Sequence, residues 1–102
     1  VFDGKLTLER LVETTSHAPA TLFAIKDRGF LREGCFADLA LIDPEAPQTV
    51  KSSDLISNCG WSPFEGDTFR ASITATWVNG NLVWNAGKLD DASRGQRLEF
   101  AR

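Results

Sequence analysis

The chain has 102 residues, 42% of them hydrophobic and 25% charged, with a formal net charge of -3. That balance suits one small globular unit and excludes a disordered or fibrous chain, while the interspersed charges leave no basic stripe for phosphates, so nucleic acid is not an expected partner. No stretch approaches the ~20 apolar residues needed to cross a bilayer, and no basic segment with an apolar run opens the chain as a secretion signal. The expected address is the cytoplasm. Cys35 and Cys59 have no second Cys or His beside them, which reads as two free structural thiols of a reducing compartment.

From Leu6 to Ile25 the apolar positions Leu8, Leu11, Val12, Leu22, Phe23 and Ile25 recur at helical spacing, and Pro19 interrupts them. The pattern predicts two short helices with a break near Ser16 to Ala18, the first capped by Thr7 and the second opening at Ser16 or Ala18. Asp27, Arg28 and Gly29 then signal a turn. The run Ala37 to Ile42 predicts a strand apolar on both sides, with Leu39 and Leu41 on one and Ala40 and Ile42 on the other, so both sides should be covered. Asp43 and Pro44 stop it. Residues 44–67 are rich in Pro, Ser, Asp, Asn and Gly and predict a long loop. Ala71 to Val78 and Leu82 to Trp84 are β-prone runs joined by Asn79-Gly80, which predicts a hairpin over residues 71–85 with a two-residue turn. Asn85 to Lys88 make another turn. Leu98 and Phe100 either add an edge strand or trail as a tail.

The stretch Gly29-Phe30-Leu31-Arg32-Glu33-Gly34-Cys35-Phe36-Ala37-Asp38-Leu39-Ala40-Leu41-Ile42-Asp43 resembles the G-x-L-x-x-G-x-x-A-D-L-x-x-x-D stretch near the C-terminus of amidohydrolase superfamily enzymes. Gly60-Trp61-Ser62-Pro63-Phe64-Glu65-Gly66 is similar to the W-[ST]-P-F-E-G loop of the dihydroorotase branch and its cyclic-amidase relatives. Trp77-Val78-Asn79-Gly80-Asn81-Leu82-Val83 resembles the closing hairpin of the same enzymes, and Leu98-Glu99-Phe100 the tail of one bacterial group. His17-Ala18-Pro19-Ala20 departs from the usual Asn-Pro-Ala, so the common asparagine cap is missing. The motif residues are therefore Gly29, Gly34, Ala37, Asp38, Trp61, Pro63, Phe64, Glu65, Gly66, Asn79 and Gly80.

The resemblance implies an α+β fragment. Residues 1–26 would be the terminal helices of a TIM-type (β/α)₈ barrel, and residues 27–102 part of the small β-sandwich domain of a metal-dependent amidohydrolase. For the whole enzyme it implies reversible hydrolysis of dihydroorotate to N-carbamoyl-L-aspartate in pyrimidine biosynthesis, with zinc or a similar divalent metal activating water. A hydantoinase or allantoinase would share much of the pattern. The implied partners are the N-terminal strands and catalytic barrel of the parent chain and further copies in a homo-oligomer. A first residue other than methionine also suits a fragment.

The residues themselves carry little chemistry. A site that makes hydroxide at neutral pH needs several clustered ligands, and the chain has one histidine, so no catalytic, metal or substrate-binding residue is expected in it. His17 is read as a cap or a solvent contact. Asp38 and Asp43 are read as turn and strand-end residues. Glu65 is the most tempting acid, and the favoured role is anchoring, its carboxylate accepting backbone N–H groups to hold the loop. Trp61, Trp77 and Trp84 are read as packing residues rather than a stacking surface for a ring-shaped ligand. A reading of another class is a free-standing interaction module that binds a protein through the long loop and the tryptophans.

Overall fold

A computed structural model describes residues 1–102. The N-terminal apolar pattern folds as one uninterrupted helical run: α1, Leu8–Val12, a π turn over Glu13–His17, and α2, Ala18–Leu22. Thr7 caps α1 as expected, its hydroxyl accepting from the Arg10 N–H at 3.1 Å. The expected break near Ser16 to Ala18 is absent, and neither residue caps a second helix, because His17 ahead of α2 keeps helical angles and makes no side-chain cap. Pro19 lacks an N–H and its ring crowds the carbonyl four residues back; widening the preceding turn relieves both problems without ending the helix. The Ala18 N–H accordingly donates to the Glu13 carbonyl, five residues back. The hydroxyls of Thr14 and Thr15 donate to the Leu11 carbonyl at 3.1 and 2.8 Å, and Thr14 also to Arg10 at 2.9 Å, so the widened turn leaves few idle carbonyls.

Four strands form an antiparallel sheet in the order β1-β4-β5-β6: Leu39–Asp43, Ser72–Val78, Asn81–Asn85 and Lys88–Leu89. β2, Gln48–Thr49, and β3, Thr68–Phe69, pair separately. The expected long loop thus contains a short ladder and a 3₁₀ turn at Ser52–Asp54. Two local runs of β-prone residues and a turn dipeptide suffice for β4–β5; Asn79 and Gly80 sit at φ 51° and 81°, the left-handed pair that a two-residue hairpin turn requires. The register of β1 on β4 slips between Leu41 and Ile42, and the Thr74 hydroxyl donates to the Leu41 carbonyl at 3.3 Å beside the slip.

The tail bridges rather than trails. Phe100 pairs antiparallel with Ile25, the Lys26 N–H donating to the Glu99 carbonyl and the Ala101 N–H to the Ala24 carbonyl, each at 2.8 Å. This ladder ties the last residues to the chain just after α2.

Little is enclosed. Ala20 and Ala75 are the buried residues, while Leu41, Ile42 and Ile73 are about half exposed. The expectation that β1 is covered on both sides is therefore not met within this chain: β1 is an edge strand and no other element of the chain lies over its apolar side chains. The accessible surface is 8122 Å², against about 5,700 Å² for a self-contained monomer of this mass. The radius of gyration, 15.6 Å, likewise exceeds the ~13 Å expected for a compact domain of 100 residues.

Candidate functional site

Six of the motif residues lie on the two segments that meet at one joint. Gly29, at φ 85°, lies so close to the helical run that a Cβ there would overlap the Ala20 side chain and come within 2.7 Å of the Ser16 carbonyl oxygen. The following loop, in which Gly34 supplies another left-handed position, closes on itself when the Phe36 N–H donates to the Asp27 carbonyl at 2.8 Å. Asp38 then faces two ways. One carboxylate oxygen pairs with the Arg28 guanidinium, whose side chain is only 10% exposed and stacks 4.0 Å over the Phe36 ring. The other accepts the Asn79 N–H at 2.8 Å, and the adjacent Gly80 N–H donates to the Ala37 carbonyl at 3.0 Å. The turn of β4–β5 is thus docked on Ala37-Asp38. The Asn79 side-chain amide is buried at this joint with neither its nitrogen nor its oxygen partnered.

Arg28 is the residue that sequence reasoning missed. Its only sequence signal is its place in a turn, and its partner lies ten positions on.

The remaining motif residues form a separate loop supported by the β2–β3 ladder. Ser62 shapes it: its hydroxyl accepts the Phe64 N–H at 3.1 Å and its carbonyl the Glu65 N–H at 3.2 Å. The Gly66 N–H, from a residue at φ 89°, donates to the Val50 carbonyl, and Phe64 meets Phe69 edge to face at 6.0 Å. Two expectations fail here. The Glu65 carboxylate is exposed and accepts no hydrogen bond, because Ser62 already provides the acceptors that hold the turn. Trp61 is 63% exposed rather than packed, since no element of the chain lies over this loop; Trp77 and Trp84, on paired strands, are half-buried, and the Trp84 indole N–H donates to the Ile73 carbonyl at 3.2 Å.

No three His, Cys, Asp or Glu side chains stand close enough together to hold a metal ion. His17 is neither a cap nor a ligand: its ring lies flat on Phe30, centroids 4.5 Å apart, and Arg32 stacks 4.0 Å from the same ring. With His17 stacked and both Asp38 oxygens engaged, a divalent ion of the kind the resemblance implies does not fit the residues of this chain. Asp43, read as a strand-end residue, accepts the Glu45 N–H at 2.9 Å and shapes the exit of β1. Cys59 is an exposed thiol held below its ordinary pKa by the Ser57 hydroxyl 3.1 Å away. An apolar groove of about 400 Å³ between Ile42, Phe69, Ile73 and Trp84 contains no ionisable side chain. The arrangement braces and orients the segments that it joins.

Comparison with known proteins supports the amidohydrolase resemblance. The model of the amidohydrolase family matches residues 2–84. Dihydroorotase from Halobacterium salinarum is 39% identical over 82 residues, which are 80% of this chain and 19% of that enzyme. D-phenylhydantoinase from Escherichia coli is 36% identical over 100 residues, 96% of this chain and 22% of its own. Among solved structures, L-hydantoinase (dihydropyrimidinase) from Arthrobacter aurescens superposes with a TM-score of 0.78 at 35% identity, covering 85% of this chain and 20% of that one. The chain belongs to the amidohydrolase family. It spans about a fifth of the length of the curated relatives it matches.

Proposed function

We propose that this chain is the structural C-terminal segment of a cyclic amide hydrolase, a dihydroorotase that reversibly adds water to dihydroorotate to give N-carbamoyl-L-aspartate in pyrimidine biosynthesis. The observation that carries the reading is the convergence of Gly29, Ala37, Asp38, Asn79 and Gly80 on one hydrogen-bonded joint, since side chains engaged in capping and close packing hold elements in place rather than react. The match to a dihydroorotase over most of the chain supports the substrate. In this reading the helical run belongs to a (β/α)₈ barrel, the sheet to the small β-domain beside it, and the metal site lies wholly in the rest of the enzyme. Zinc or a similar divalent ion would supply activated water there. N-terminal strands of the same enzyme would pair with the open sheet, and the assembled enzyme would be a cytoplasmic homo-oligomer.

A second reading keeps the hydrolase and changes the ring. The superposition on L-hydantoinase (dihydropyrimidinase), with a TM-score of 0.78 at 35% identity, favours a hydantoin substrate. Steady-state assays of the enzyme that contains this segment, with dihydroorotate and with a 5-substituted hydantoin, separate the two. Turnover of dihydroorotate is expected, and turnover of the hydantoin alone overturns the first reading in favour of the second. The 102-residue chain by itself, given zinc, is expected to turn over neither; genuine turnover by it would refute the structural role.

A further inference from the structure

We propose that Asn79-Gly80 is a self-modification site, a deamidation site held latent by the docking of the β4–β5 turn on Ala37-Asp38. Asn79 is the only asparagine followed by glycine, and a following residue without a Cβ leaves its backbone nitrogen least hindered as a nucleophile. In the reaction the Gly80 nitrogen loses its proton to solvent base and attacks Cγ of Asn79. A new C–N bond closes a five-membered succinimide, the side-chain nitrogen leaves as ammonia, and water then opens the ring to aspartate or isoaspartate. One water is consumed for each ammonia released, and no oxidant or cofactor is needed.

The docked turn opposes each part of this step. The Gly80 N–H is donated to the Ala37 carbonyl at 3.0 Å, the Asn79 N–H is fixed on Asp38, and the side-chain amide is buried away from water. Attack therefore requires the turn to lift. The consequence is one-directional, because the product carboxylate would return to a pocket where the amide atoms already have no partner. Asp38, which holds the backbone N–H of the same residue, would add a like charge nearby, and its cation partner, Arg28, is engaged on its other oxygen. A buried, unpaired charge beside a like charge costs far more than the neutral amide, so the modified turn stays undocked. The analogous cyclisation at the exposed Asp3-Gly4 pair, which expels water in place of ammonia and so isomerises the aspartate, supplies an internal reference that docking does not gate.

The test is peptide-resolved mass spectrometry of the protein aged at neutral pH, with isoaspartate detected enzymatically, beside a peptide spanning residues 76–83. Deamidation at Asn79 is expected to be slower in the protein than in the peptide by the same factor that hydrogen exchange of the Gly80 N–H is slowed. Asp38→Ala, which removes the acceptor that holds the Asn79 N–H in the dock, should raise the Asn79 rate about tenfold while leaving isomerisation at Asp3 unchanged. Equal rates in protein and peptide would overturn the proposal. So would slow deamidation with an unprotected Gly80 amide, a comparison made in the unaltered protein that holds even where Asp38→Ala fails to fold.

Discussion

At Gly29 a methyl group would come within 2.7 Å of the Ser16 carbonyl oxygen and run into Ala20, on a backbone already at φ 85°. Gly34 has a similar φ of 89° with nothing near its missing side chain. The pair separates two costs: Gly34→Ala should lose about 1–2 kcal/mol from the left-handed backbone alone, and Gly29→Ala a further ~1–3 kcal/mol from overlap, read as shifts in urea midpoint. Both glycines are legible in sequence as turn residues. The reason Gly29 admits nothing larger is not, because the helix that crowds it lies a turn and a loop away. Cys59 offers a second check at this scale. A hydroxyl donating to sulfur favours the thiolate, so Ser57→Ala should raise the pH at which Cys59 reacts and slow its alkylation by iodoacetamide at neutral pH, measured in a Cys35→Ser background.

Among elements, the hairpin is the most legible because all its information is local: two β-prone runs and Asn79-Gly80 between them. The helical run is misread for a related reason. Pro19 is a sound local signal for interruption, and only the chain's ability to widen one turn at Glu13–His17 overrides it. Two-residue strands such as β2 and β3 carry no periodicity to read. The joint between the 27–38 segment and the hairpin was half legible, since its motif residues were recognisable while the Arg28–Asp38 pairing was not. Asp38→Ala should destabilise the fold by about 1–3 kcal/mol, less than a fully buried pair would because Asp38 is one-third exposed. In a cycle with Arg28→Ala the double variant should lose less than the two single losses combined, since removing both partners leaves no stranded charge. Additive losses in thermal melts would show that the two side chains act independently.

Taken as a molecule, the chain exposes some 2,400 Å² beyond what its mass predicts, about three times the ~800 Å² that each partner buries in a standard protein–protein contact. β1 adds an open edge with Leu39 and Leu41 on it. Alone in solution at micromolar concentration, the chain is expected to sediment as species larger than its 11.2 kDa and to exchange the β1 amides rapidly. A monomer with strongly protected β1 amides would show that the sheet is self-sufficient. Joined to the barrel and N-terminal strands proposed above, the same amides should become protected.

The short ladder between Ile25 and Phe100 constrains how such a chain is made as well as how it holds. About three-quarters of the sequence separates its two sides, and closing so long a loop costs roughly 4 kcal/mol of chain entropy before any contact repays it. On a ribosome, the residues after α2 must wait with their backbone groups open to water until Glu99, Phe100 and Ala101 have cleared the exit tunnel. The β4–β5 hairpin can fold as soon as it emerges, whereas the tie between the helix and residues 99–101 must wait for the whole intervening span, and a nascent chain stalled before Glu99 would carry the sheet without its fastening to the helix.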